Sequence, residues 1–244
     1  MPRFFIAGSN FIGHLIHITG ADAEHIRVLR MRVGDHVVLC DGDGVDHHCR
    51  LTKIGDDRIE AKVDNTVPCP SEPSVSVTIL AGMPKGDRAD YIVQKCTEVG
   101  AAKIAFFLCE RCIVRLDKKG AENKRVRWQR IAEAAAKQSG RGMIPEVLVL
   151  SNLADALDMA VKTDLPLFMY ETGDRIALKD AIEGGDTFKT SAIITGPEGG
   201  FEPFEADLAA AVGIRACAMG PRILRCETAP VCALTAMMYE TDNL

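Results

Sequence analysis

At 244 residues, 47% of them hydrophobic, the chain can bury one large core or two smaller ones. No apolar run approaches the roughly 20 residues that cross a bilayer, and the apolar start Phe4-Phe5-Ile6 meets Gly8-Ser9-Asn10 too soon for a signal peptide, so a cytoplasmic protein is expected. A formal charge of -5 excludes phosphate binding by the whole surface, though not a local basic patch facing RNA.

The first 70 residues carry short alternating or apolar runs, such as 35–40 and 48–54, punctuated by Asp41-Gly42-Asp43-Gly44 and Gly55-Asp56-Asp57, which fit hairpin turns. The pattern predicts a small β-barrel, with a short helix over 23–30 that brings Arg27 and Arg30 close on one face. Val67-Pro68-Cys69-Pro70-Ser71-Glu72-Pro73 is too proline-rich for a helix or a central strand and reads as a linker. Beyond it, strands over 75–80, 104–108, 165–170 and 192–195 alternate with helices over about 87–99, 123–139, 203–212 and 228–239. Such alternation predicts an α/β domain with a mostly parallel sheet, and the expected division is 1–70 and 74–244.

Within the α/β part, Ile193-Ile194-Thr195-Gly196-Pro197-Glu198-Gly199-Gly200-Phe201 runs from an apolar strand into a glycine-rich loop, where open α/β sheets bind ligands. It lacks the spacing of the dinucleotide and Walker loops, so phosphate cradling is not the first expectation. A second loop, Met219-Gly220-Pro221-Arg222-Ile223-Leu224-Arg225-Cys226-Glu227-Thr228-Ala229, brings arginines and a carboxylate toward the same sheet end, although a solvated loop capped by Thr228 also accounts for it. Asp87 and Gly100 suit the two ends of the 87–99 helix, and Lys95 and Glu98 suit a pair on its face. Lys137, Gln138, Ser139, Gly140 and Arg141 end the long helix in a basic cluster that suits RNA phosphate.

Nine cysteines at irregular spacings read as reduced, mostly buried thiols. Cys109-Glu110-Arg111-Cys112 has C-x-x-C spacing, but zinc needs two further ligands and no second pair has matching spacing; a redox role would want a position after the first strand. No metal is expected. All six histidines lie between His14 and His48, so the α/β domain must do its proton chemistry without imidazole.

Taken in order, Lys85-Gly86-Asp87-Arg88, Gln94-Lys95-Cys96-Thr97-Glu98-Val99-Gly100, Glu110-Arg111-Cys112, Arg127-Trp128, Ala134-Ala135-Ala136-Lys137-Gln138-Ser139-Gly140-Arg141 and the two loops above resemble the RsmE-type 16S ribosomal RNA uridine-N3 methyltransferases of the SPOUT superfamily. His25-Ile26-Arg27-Val28-Leu29-Arg30-Met31-Arg32-Val33-Gly34-Asp35 resembles that family's N-terminal segment, so the likeness spans nearly the whole chain.

The resemblance implies a trefoil-knotted SPOUT α/β methyltransferase domain preceded by a small PUA-like β-barrel, against the general rule that chains are unknotted. It implies a homodimer with S-adenosyl-L-methionine held in the knot, and as partner 16S rRNA or the assembled small ribosomal subunit, with no membrane or DNA. Carried over by position, the cofactor contacts are Leu167, Phe168, Met169, Tyr170, Glu171, Thr195, Gly196, Pro197, Glu198, Gly199, Gly200, Met219, Gly220, Arg222, Ile223, Leu224, Thr228 and Ala229. RNA contacts are expected at Arg27, Arg30, Arg32, Lys85, Arg88, Lys95, Lys137, Gln138 and Arg141. For the reaction, Arg225 suits stabilisation of the uridine anion, and Glu198 or Glu227 suits proton removal if burial raises its pKa. A non-catalytic PUA-like RNA-binding protein, methylation of a different RNA site and a nucleotide-binding enzyme using the Gly196 loop are the competing readings.

Overall fold

The computed structural model describes residues 1–6, 11, 12, 14–184 and 187–244; the turn read at Gly8-Ser9-Asn10 lies outside them. The chain forms two compact units, one of residues 1–72 with 136–144 and the other of 73–135 with 145–244.

In the first unit, β1 (Arg3–Phe5), β2 (Phe11–Ile12), β3 (Leu15–Ile18), α1 (Gly20–Val28), β4 (His36–Cys40), β5 (Val45–Ile54) and β6 (Ile59–Pro68) follow one another. The strands make one curled sheet in the order β1-β4-β5-β6-β3-β2, antiparallel except for β1 beside β4. Register shifts between β5 and β6 at His48/Cys49 and Leu51/Lys53 bend the pair, as bulges do. Phe4, Ile16, Ile26, Leu39, Leu51 and Ile59 fill the hollow.

The helix ends earlier than the sequence suggests. The amides of Arg30 and Met31 bond back to the carbonyls of Arg27 (2.9 Å) and Ile26 (3.3 Å), the paired closure of a Schellman motif, with Arg30 at φ 55 where glycine is usual. Arg30 therefore stands beyond α1 rather than on a face shared with Arg27. The latter donates to the carbonyls of Gly55 and Asp56, both at 2.7 Å.

Residues 136–144 complete this unit. Arg141, only 2% exposed, pairs with Glu72 at 2.7 Å, and Glu72 also accepts the amides of Gly142 and Met143. Arg3 grips Asp46 with both terminal nitrogens, at 2.8 and 2.6 Å. Removing one partner from such a buried pair typically costs about 3–5 kcal/mol, because the other charge is left stranded.

The second unit contains β7 (Ser76–Gly82), α2 (Arg88–Val99), β8 (Lys103–Phe107), α3 (Lys118–Ser139), β9 (Glu146–Val149), α4 (Leu153–Ala160), β10 (Leu165–Met169), β11 (Ile176–Ala177), α5 (Leu178–Glu183), β12 (Thr190–Thr195), α6 (Pro203–Ala211), β13 (Arg215–Ala218) and α7 (Thr228–Glu240), with the last turn of α3 lying in the first unit. The seven strands form one sheet, β11-β13-β10-β12-β7-β8-β9, in which every neighbouring pair is parallel. Parallel strands covered on both faces read as continuous apolar runs, which is why Val77, Ile79, Ile104, Phe106, Phe168, Ile193 and Ile194 are all buried.

Helix α3 begins about one turn before the expected start, because the Asp117 carboxylate accepts the amide of Gly120 at 2.8 Å, as helix-capping residues do. Helix α6 is fixed by Pro203 in its first turn and by reciprocal bonds between Glu202 and Glu205. With all strands parallel, the loops after β7, β8, β10, β12 and β13 leave the sheet at one end, and they build the site.

Candidate active site

A cavity of about 500 Å³ opens at the carboxyl ends of β13, β10 and β12, three consecutive neighbours in the sheet. Its walls are the loop after β10, with Met169, Tyr170, Glu171 and Arg175, the loop from Thr195 through Gly200, and the loop after β13 from Met219 to Glu227, together with Cys217, Ala218, Arg88 and Ala229. Two loops that the sequence places at one sheet end therefore do converge. Leu167 and Phe168 are buried in the sheet and Thr228 opens α7; none of the three lines the cavity, whereas Arg175, Cys217 and Ala218, which lie outside both loop motifs, do, as do Pro221 and Cys226 of the second loop.

Phe201 anchors the glycine-rich loop. Its ring is buried against Phe168 at 4.4 Å between centroids and stacks parallel to Phe107 at 6.3 Å; burying such a side chain contributes about 2 kcal/mol. Gly200 then turns the loop at φ 68, and a side chain there would meet a carboxylate oxygen of Glu171 at 2.6 Å. Thr195, at the end of β12, is 1% exposed, lines the cavity and has a hydroxyl oxygen without a hydrogen-bond partner.

The charges in the cavity are organised by Arg88. Its guanidinium donates to Glu198 at 2.5 Å and lies 3.3 Å from Glu227, joining the first turn of α2 to the loops after β12 and β13. Burial works against ionisation of Glu198, but the Lys85 amide at 3.0 Å, its own amide and Arg88 outweigh it, so the carboxyl is held below its ordinary value. The raised pKa that would fit Glu198 for proton removal is therefore not what the structure gives. Burial and the bond to Glu227 push the Cys226 thiol up to about 12, so it donates to Glu227 at 3.2 Å. Arg225 is exposed on the cavity wall, and its carbonyl accepts the first amides of α7.

The basic residues expected to meet RNA are placed unequally. Arg30 and Arg32 are exposed in the first unit, as are Lys137 and Gln138, although Lys137 lies 3.5 Å from Asp22. Arg141 is enclosed with Glu72, Arg27 is committed to two carbonyls, and Lys95 pairs with Glu98 at 2.9 Å. Lys85 is exposed beside the cavity, and Arg88 faces the carboxylates rather than open solvent.

Residues 71–238 match the RNA methyltransferase domain family, and 18–64 match the RNA methyltransferase PUA domain, which defines the class as an RNA methyltransferase with its own PUA domain. The ribosomal RNA small subunit methyltransferase E of Bacillus subtilis (strain 168) is 35% identical over 232 residues, covering 93% of this chain and 91% of the relative. Among solved structures, the Neisseria gonorrhoeae ribosomal RNA small subunit methyltransferase E bound to S-adenosyl methionine has a TM-score of 0.81 at 33% identity, covering 98% of both chains. A Legionella pneumophila methyltransferase in complex with the same cofactor has a TM-score of 0.80 at 27% identity, covering 98% of this chain and 97% of the other. The chain belongs to the ribosomal RNA small subunit methyltransferase E family, and its fold is the SPOUT α/β class with a PUA domain.

Replacing Arg88 with methionine removes the main cation beside Glu198, so that carboxyl should titrate at higher pH, read by carboxyl-resolved NMR. An unchanged midpoint would show that Arg88 does not hold Glu198 ionised.

Proposed function

We propose that this chain transfers the methyl group of S-adenosyl-L-methionine to N3 of a uridine in 16S rRNA of the small ribosomal subunit, with residues 1–70 docking RNA and 74–244 carrying the reaction. The observation that carries the reading is the cavity at the carboxyl ends of three adjacent parallel strands, in a chain whose Neisseria relative has that cofactor bound. Its volume lies in the range of small-molecule sites, and the unpartnered Thr195 hydroxyl offers a bond that a polar ligand would complete. Met169, Ile223 and Leu224 suit the adenine ring, Glu171 suits ribose hydroxyls, and the backbone of Gly196, Pro197, Gly199, Gly200, Met219 and Gly220 supplies polar groups at close range. When bound, S-adenosyl-L-methionine supplies an electrophilic methyl group on a sulfonium.

The protein's task is to make uridine N3 nucleophilic. The imide proton must leave, and the charge that spreads onto O2 and O4 must be stabilised. Arg225 faces the cavity with a permanently charged fork of donors suited to that anion. Glu227 is the proposed proton acceptor, since Glu198 is engaged by Arg88 and the Lys85 amide while Glu227 meets Arg88 at a longer distance. The substrate is free 16S rRNA or the assembled subunit, and the cytoplasm is the proposed setting; no described helix is long and apolar enough to cross a membrane.

Gly200→Val should reduce cofactor affinity at least tenfold in calorimetry, because the loop cannot keep its conformation. Arg225→Ala should bind cofactor normally yet lose roughly a hundredfold or more in rate, the loss typical of removing an anion-stabilising donor. The assay is methyl transfer to small-subunit RNA with mapping of the modified base; product at a position other than uridine N3 would overturn the assignment.

RNA docking by the first unit is supported by Arg30, exposed in a backbone conformation that non-glycine residues rarely hold, and by exposed Arg32 close by. Arg30→Glu with Arg32→Glu should weaken RNA binding and flatten its salt dependence by roughly one unit of log-log slope per lost phosphate contact, while cofactor affinity stays unchanged. A wild-type slope would remove these arginines from the RNA surface.

A homodimer formed by the second unit is supported by an apolar stripe: Phe204, Leu208 and Val212 recur every four residues along α6 and its end, each about half exposed. On α7, Ala233, Leu234, Met237 and Met238 are buried within the unit while Tyr239 and Cys232 are exposed. Light scattering should give the dimer mass at micromolar concentration, and a monomer mass with full activity would reject it.

A further inference from the structure

Cys109 and Cys112 flank a tight turn after β8 in which the Cys112 amide bonds to the Cys109 carbonyl at 3.1 Å. Their sulfurs lie 3.4 Å apart, and the two residues are 6% and 4% exposed. A disulfide needs about 2.05 Å between sulfurs, so the pair is roughly 1.4 Å short of bonding distance. Among the described residues no third ligand joins them to hold a metal.

The two thiols differ chemically. The hydrogen bond from Cys109 favours the thiolate at Cys112 against the effect of burial, helped by the Cys109 and Met83 amides and the charge of Arg115. Cys109 is pushed the opposite way by the same bond and by burial. One sulfur that favours the thiolate thus sits 3.4 Å from a protonated sulfur placed to resolve a sulfenic acid.

The residues between the cysteines hold the cavity wall. Arg111 donates to the Gly199 carbonyl at 2.8 Å and to Glu202 at 2.7 Å, and the Glu110 amide donates to Glu205 at 3.0 Å. Glu110 and Arg111 are the two central residues of that turn, so a backbone adjustment that brings the sulfurs together passes through them.

We propose that Cys109 and Cys112 are a peroxide-sensitive disulfide site, and that closing the bond releases the Arg111 tether on the loop carrying Gly199 and Glu202. The Cys112 thiolate attacks hydrogen peroxide, the O–O bond breaks, and Cys112 becomes a sulfenic acid as hydroxide leaves and takes up a proton to form water. The Cys109 sulfur then attacks the sulfenic sulfur; the S–S bond forms, and hydroxide departs with the Cys109 proton as a second water. Two thiols are oxidised and one peroxide is reduced. A reducing thiol reverses the reaction by exchange. The effect on cofactor affinity rests on the functional reading above; the bond and the loop's response do not.

The full chain is treated with hydrogen peroxide and followed by peptide mass mapping, by amide hydrogen exchange over 196–205 and by calorimetry with S-adenosyl-L-methionine. The wild type should gain a 109–112 link that dithiothreitol reverses, exchange faster over 199–205, and bind cofactor roughly tenfold more weakly, the scale of one lost charge-assisted hydrogen bond. Cys109→Ala should bind like the reduced wild type and ignore peroxide; if that variant does not fold, Cys112→Ser serves in its place. Absence of the link, or a link that leaves both exchange and affinity unchanged, overturns the proposal. Faster exchange on oxidation in a protein that binds no cofactor even when reduced would uphold the switch and sink the cofactor reading instead.

Discussion

The glycine-rich loop after β12 has to lie on the end of the sheet with backbone against backbone. A side chain at Gly82, the last residue of β7, would come within 2.5 Å of the Pro197 ring and 2.7 Å of its nitrogen, and one at Gly200 would strike Glu171. Bare backbone at these positions lets the loop turn back immediately after Thr195 and seat Phe201 in the core next to Phe168. The cavity follows from that descent. Without it, the loops after β10 and β13 would border open solvent at the strand ends, and Arg88 at the start of α2 would lose its contact with Glu198.

Charge then fastens what the backbone brings together. Isolated surface ion pairs contribute little, but Arg88 ties the glycine-rich loop at Glu198 to the loop after β13 at Glu227, and Arg111 holds the glycine-rich segment at Gly199 and Glu202, so their main effect is on geometry. The same economy assigns the carboxylates. Glu198, with an amide and a guanidinium on its oxygens, is held ionised and serves as an anchor between α2 and the glycine-rich loop.

The parts most legible in the sequence were those whose signal is local. Continuous apolar runs announced β7, β8, β10 and β12; the Asp41 and Gly55 turns announced the hairpins; and the two glycine-bearing loops announced the cavity. Short elements such as β9, α4, β11, α5 and β13 carry too few residues for a period to show. Arg30 reads as helical because a helix closed by a Schellman turn normally shows a glycine there, and Asp117 does not stand out as a cap because the apolar periodicity of α3 starts a turn later. Arg88 and Arg141 illustrate a different limit. A guanidinium that meets phosphate and one that meets a carboxylate are the same letter in the sequence, and only the position of Glu198, Glu227 or Glu72 separates them.

The proline-rich stretch 67–73 marks one place where the chain leaves the first unit, yet the chain returns at 136 and leaves again after 144. That return carries Arg141, whose carbonyl accepts a bond from Arg3 at 3.3 Å while its guanidinium meets Glu72. A segment ending at residue 72 would therefore lack the partners that residues 141–143 give to Glu72 and Arg3. The basic cluster at the end of α3 thus has two halves. Its buried member completes the first unit, and its exposed members, Lys137 and Gln138, are carried on that unit's surface together with Arg30 and Arg32. The polar run that reads as a single phosphate site in the sequence is, in the fold, two exposed side chains at the end of α3 followed by a structural ion pair.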